Sequence, residues 1–133
     1  YISLLENAVS GLPGGLYHYH PKEHVLEHLE NFETKEKRVR DALTYEWAKE
    51  APILFVFTSI WQKTMMKYKD FGYHLALLEA GHITQNIILL SAAVGISTCP
   101  LAGFKKKELA EILDVNCLEE APVYMLAAGA KES

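Results

Sequence analysis

Residues 79–104, EAGHITQNIILLSAAVGISTCPLAGF, constrain the possible folds more than any other part of the chain. The spacing predicts a long helix running roughly over 73–94, with Gly95 as its C-terminal stop. A helix that is apolar on nearly every side belongs in a core or between subunits. Yet Glu79, His82 and Asn86 fall along one face of it, three and four residues apart. Burying such groups without partners costs about 1–3 kcal/mol each, so the stripe calls for a polar ligand or a paired surface. Beyond the helix, 96–104 reads as a loop carrying one proline and ending in small residues, whose backbone N–H groups can come close to a planar ligand.

The bulk properties narrow the class. A chain of 133 residues suits a single domain with one core. With 50% hydrophobic and 23% charged residues it has the composition of an ordinary soluble domain. A net charge of −4 gives no reason to expect nucleic acid or an anionic membrane as partner. Cys99 and Cys117 are too few for a disulfide framework, and a pair of reduced thiols implies a cytoplasmic protein. Glu79, His82, Gln85 and Asn86, near the middle of the long helix, make it a poor membrane span.

The remaining elements follow from local pattern. Residues 2–9 are strand-like, Leu12-Pro13-Gly14-Gly15 is turn chemistry, and 16–20 and 24–29 alternate, which together predicts an antiparallel meander. Residues 33–50 are highly charged, with Val39, Ala42, Leu43, Glu46 and Trp47 at helical spacing; Trp47 is the expected anchor. Pro52 ends that helix. Residues 53–57 form a continuous apolar strand, 61–70 are helical or irregular with a break at Phe71-Gly72, 105–114 form a short helix, and 121–127 a second buried strand. Strands segregated from helices imply an α+β sandwich.

Several segments together carry a family resemblance. They are EAPILFVF (50–57), KYKDFGY (67–73), LEAGHITQN (78–86), AAVGISTC (92–99) and AGF (102–104), preceded by LPGGLYHYHP (12–21). In this order and spacing the set resembles the nitroreductase-like flavoproteins, specifically the SagB/ThcOx-type dehydrogenases that oxidise azoline rings in modified peptides. The resemblance implies an α+β, nitroreductase-like sandwich of a mainly antiparallel sheet and helices around one long buried helix, over residues 1–133 as a single domain. It implies an FMN-dependent oxidoreductase, a homodimer with active sites between the subunits, acting on a small molecule or a modified peptide by two-electron oxidation of a heterocycle, azoline to azole.

It also implies site residues. Pro100, Leu101, Ala102 and Gly103 correspond to the loop that lies against the isoalloxazine, with the Ala102 and Gly103 amides near N5 and O4. Backbone dipoles aimed there suit a ring that gains electron density on reduction. Lys67 and Tyr68 fall where azoline-oxidising members carry a catalytic Lys-Tyr pair, able to take the proton that aromatisation releases. Lys69, Phe71 and His74 stand where relatives commonly have a glycine and two arginines. The family's phosphate-gripping arginines and its Pro-Ser-x-Gly loop would lie upstream of Tyr1, so the chain reads as a fragment or processed product; Lys131 is one cation that remains for the phosphate. Two rival readings stay open. One is a flavin-poor, non-catalytic homodimeric scaffold. The other is a metal site built from His18, His20, His24 and His28, although no carboxylate or cysteine falls at clean ligand spacing.

Overall fold

The computed structural model describes residues 1–29 and 33–130. Its centre is a six-stranded antiparallel sheet in the order β3-β2-β1-β4-β6-β5. The strands are β1 (Ile2–Leu4), β2 (Gly15–His20), β3 (Val25–His28), β4 (Ile53–Ile60), β5 (Ile96–Leu101) and β6 (Glu120–Ala130). The helices are α1 (Glu33–Asp41), α2 (Trp61–Tyr68), α3 (Phe71–Ala93) and α4 (Lys106–Ile112), with a 3-10 helix at Glu46–Glu50.

The predicted meander forms, β1 pairing with β2 and β2 with β3. Its first turn is tied off by the Tyr17 hydroxyl, which donates to the Pro13 carbonyl at 2.7 Å. Tyr17 is buried, and desolvation together with the nearby Glu6 carboxylate pushes its phenol above the ordinary tyrosine pKa. The longest ladder joins β4 to β6 from Ile53↔Ala128 to Ile60↔Glu120, with one extra β6 residue bulged out at Phe57/Thr58.

One face of the sheet carries the main core. Leu16, Leu54, Val56, Leu101, Met125 and Ala127 point from the strands into a layer of Val39, Ala42, Leu43, Leu109, Ile112 and Leu113. The β4 run IleLeuPheValPhe therefore sends Leu54 and Val56 into this core, while Ile53, Phe55 and Phe57 on its other side are half-buried. A smaller cluster, Trp61 with Ala76 and Ala121, lies where α2 and α3 meet the sheet. Trp61 is held by an Nε1–H bond to the Cys117 carbonyl at 3.2 Å and stacks on Tyr73 at 5.1 Å.

Three elements depart from the pattern-based expectation. The charged helix ends at Asp41 and the chain resumes as the 3-10 helix, leaving Trp47 54% exposed rather than anchoring. Ala48 takes the buried place instead. Most of 96–104 is not a loop but the edge strand β5, paired to β6 from Ile96↔Ala130 to Leu101↔Met125. Its Pro100 is tolerated because an edge position has a side that needs no N–H donor. Finally, Phe71-Gly72 begins α3 rather than interrupting a helix.

The long helix is present, with Gly95 at φ +78 just past its end, but its burial differs from the expectation. It is long and apolar enough to cross a membrane by length and composition, yet only 17% of its most apolar window is buried within the chain. It touches its neighbours through a stripe of small residues, Gly72, Ala76, Ala80 and Thr84, spaced four apart. Small side chains let the helix lie close on α2, β5 and β6, but they place the larger ones outward. Leu78, Ile83, Leu89, Leu90 and Val94 are all exposed.

The α2–α3 junction carries a local strain. Lys69 sits at φ +51, ψ −136, a region favourable to glycine and costly for a residue with a Cβ. Its N–H still closes α2 onto the Met65 carbonyl at 2.8 Å. Lys69→Gly is expected to raise stability by about 1 kcal/mol, read as a higher urea midpoint at unchanged slope.

Candidate active site

The segment after β5 is held from one side only. Leu101 ends the strand with its side chain in the core, 3% exposed. Pro100 and Ala102 are exposed and Gly103 is half-buried. Two backbone bonds pin residues 103–105: Thr44 N–H donates to the Gly103 carbonyl at 3.1 Å, and Lys105 N–H to the Ala42 carbonyl at 2.8 Å. These anchors use the Gly103 carbonyl and the Lys105 N–H, and so leave the Ala102 and Gly103 N–H groups outside them.

Gly103 is required by packing as much as by any ligand. A Cβ on it would stand 2.5 Å from Cε2 of Tyr45 and would overlap Thr44 Oγ1. Residues 44–45 thus form the floor under the 100–103 segment. Tyr45 is itself 46% exposed and pairs with Trp47 at a ring separation of 6.2 Å, so an aromatic surface flanks the segment. Beside it, Trp47, Pro52, Ser97, Cys99 and Gly129 line an open hollow of about 280 Å³. Sequence reasoning misses Thr44 and Tyr45, since nothing local links them to a glycine nearly sixty residues away.

The other predicted residues are scattered around this centre. Lys67 and Tyr68 are exposed at the end of α2, the lysine Nζ lying 5.2 Å from the centre of the tyrosine ring. They sit on the α2–α3 layer, whereas Thr44, Tyr45 and Gly103 belong to the segment that continues from α1; no hydrogen bond or ring contact among the described residues joins the two groups. Lys131 lies outside the described residues. On α3, Glu79, His82 and Asn86 are exposed, so within one chain the stripe is solvated rather than buried. Thr84, the buried polar residue of that helix, is satisfied by donating to the Ala80 carbonyl at 2.7 Å.

The histidines of the β2–β3 hairpin do not converge. His18 Nδ1 lies 2.8 Å from Glu27 Oε2, His24 Nδ1 lies 2.9 Å from the Tyr19 hydroxyl, and His20 Nδ1 accepts from the Glu23 N–H at 3.3 Å. His28 stacks on Tyr17 at 4.7 Å. Among the described residues no group of three or more His, Cys, Asp or Glu side chains is placed to hold a metal ion.

The segment that could hold a planar ring thus has exposed Pro100 and Ala102, a Gly103 packed on Thr44 and Tyr45, and an aromatic surface beside it. Gly103→Ala is expected to cost about 1–3 kcal/mol by overpacking against that floor. In a Thr44→Ala/Tyr45→Ala background the penalty shrinks, a coupling that a double-mutant cycle by urea denaturation measures.

Comparison with known proteins gives the family and the fold. A family model described as "Nitroreductase family" matches residues 9–130. MJ1384 of Methanocaldococcus jannaschii, a protein named for the same family, is 28% identical over 123 residues, covering 92% of this chain and 61% of its own length. The microcin B17-processing protein McbC of Escherichia coli is 27% identical over 122 residues, covering 90% of this chain and 45% of its own. The chain thus spans about half the length of these curated relatives. In structure, the E. coli microcin synthetase McbBCD complex superposes with a TM-score of 0.81 at 24% identity, over 99% of this chain and 51% of that one. A nitroreductase-family structure from Anabaena variabilis gives 0.83 at 22% identity, over 96% of this chain and 26% of that one. With the family pattern matched along nearly its whole length, and the fold to go with it, the chain belongs to the nitroreductase family.

Proposed function

We propose that this chain is the core of an FMN-dependent oxidoreductase that removes two electrons from a heterocycle, azoline to azole, in a modified peptide or a related small molecule. The observation that carries the reading is the 100–103 segment, in which Pro100 and Ala102 are exposed while Leu101 is anchored in the core and Gly103 is pressed onto Thr44 and Tyr45. The peptide class is supported by the likeness to McbC and to the trifolitoxin-processing protein TfxB of Rhizobium leguminosarum, named as processing proteins of a microcin and of trifolitoxin. When bound, FMN accepts the electron pair and the hydrogen that leaves the substrate carbon. The Ala102 and Gly103 N–H groups would hold the ring edge, and Lys131 would supply a cation for the phosphate. Lys67 or Tyr68 takes the second proton, which aromatisation releases from the heterocycle.

The direct test is optical. Purified chain mixed with FMN should retain, after desalting, the flavin band near ~450 nm that belongs to the isoalloxazine. Protein that stays colourless, with FMN recovered entirely in the small-molecule fraction, overturns the enzyme reading in favour of a flavin-poor scaffold. In a loaded enzyme, Lys67→Ala or Tyr68→Phe should lower turnover about 10²- to 10⁴-fold with little change in FMN affinity, the range for a lost general base.

The functional unit in this reading is a homodimer. Leu78, Ile83, Leu89, Leu90 and Val94 are exposed apolar residues along and just past α3, with Glu79, His82 and Asn86 running between them, a mixed face of the kind that pairs with another surface. A second copy covers that surface and supplies partners for the polar stripe. Leu90→Glu, at a residue 70% exposed in the single chain, should convert the dimer to a monomer without unfolding it. Sedimentation velocity reads the first effect and circular dichroism the second; a wild-type chain that sediments as a monomer rejects the dimer.

A further inference from the structure

We infer that Arg40 is a positioning residue for the 100–103 segment, an inference that rests on that segment's being the flavin seat. Arg40 lies near the end of α1 and is 5% exposed, one of three polar or charged residues among the described ones that are buried. Its Nη1 donates to the Lys49 carbonyl at 2.8 Å and to the Ala51 carbonyl at 2.7 Å. Both carbonyls belong to the end of the 3-10 helix, which a chain this short of regular hydrogen bonding leaves in need of donors. One guanidinium thus ties residue 40 to residues 49 and 51 and closes the intervening segment into a loop.

The other contacts of that loop face the candidate site. Ala42 accepts from Lys105, Thr44 donates to Gly103, and Tyr45 packs where a Gly103 Cβ would be. Within the loop, Ala48 N–H bonds to the Tyr45 carbonyl and Ala51 N–H to the Ala48 carbonyl, so the clamped end is continuous with the floor. Arg40 touches neither substrate nor cofactor. It acts by holding 44–45 at a fixed height under Gly103, and hence by fixing the direction of the Ala102 and Gly103 amides. The two Nη1 protons meet carbonyl oxygens, which offsets part of the cost of burying the cation. Both bonds leave the one nitrogen Nη1, whose protons are fixed in the guanidinium plane; lysine, a strongly hydrated point charge on a shorter side chain, does not place a donor there in the same direction.

The test is Arg40→Lys in the full chain, read by amide hydrogen exchange and by FMN binding. The expected result is exchange at least about tenfold faster at Thr44, Ala48, Ala51 and Lys105, the scale of losing one charge-assisted hydrogen bond. Amides of the β4–β6 ladder such as Val56 and Leu126 should keep their rates, FMN should bind at least about tenfold more weakly, and the visible band of the bound flavin should move toward that of free FMN. Unchanged exchange at Thr44 and Lys105, or an equal acceleration throughout the sheet, overturns the inference. A wild-type chain that binds no FMN fails the flavin reading instead, while the exchange pattern still decides the clamp. If Arg40→Lys does not fold, exchange of the wild-type chain in graded sub-denaturing urea decides it. The four amides must then open together with one urea dependence, and independent openings overturn the clamp.

Discussion

The antiparallel ladder between β4 and β6 is the interaction on which the rest of this structure depends. It is the longest pairing in the sheet, and both strands are internal: β1 flanks β4, and β5 flanks β6. From one face of it Leu54, Val56, Met125 and Ala127 meet the helices α1 and α4. On the other, Ala121 meets Trp61 and α3. Long-range pairing of this sort requires the intervening chain of some sixty residues to close a loop at an entropic cost that grows only slowly with length. That leaves the connecting segments free to carry a site.

The site uses this freedom in a particular way. The edge strand β5 brings Pro100 to the rim of the sheet, and the segment after it turns back over residues 42–45, which come from a different part of the chain. Its glycine is thus constrained by a neighbour that is distant in sequence, through bonds that use the Gly103 carbonyl and the Lys105 N–H. In the proposed reading, a backbone fixed in this way before any ligand arrives is what a redox cofactor's ring needs from a protein. The long helix contributes differently. Its stripe of small residues fastens it to α2 and the sheet, and its larger apolar residues are left for a surface beyond the single chain.

Much of this was legible in local pattern. The meander, the apolar strand at 53–57, the short helix within 105–114 and the stop at Gly95 follow from periodicity and turn chemistry, and all are present. Less legible was 96–101, because a proline and several small polar residues hide an edge strand whose partner among the described residues lies about thirty residues on. Trp47 misled for a related reason: helical spacing assigns it to a buried face, but the helix ends at Asp41 and restarts in a 3-10 geometry with Ala48 inward. The strain at Lys69 sits where the family resemblance places a glycine, so here the departure in sequence and the unusual backbone coincide.

The sequence by itself therefore determined most of the elements, the α+β class and the family, and it singled out 100–103 as the candidate segment, because these depend on short-range spacing and on motifs read in order. Only the tertiary structure decided which side of each element is covered. It turned the leucines of α3 outward, separated Lys67 and Tyr68 from the 100–103 segment within one chain, and placed Thr44 and Tyr45 under Gly103 with Arg40 behind them. Those outcomes depend on which distant residues pack together, and contacts between residues sixty positions apart leave no periodic trace in the chain that makes them.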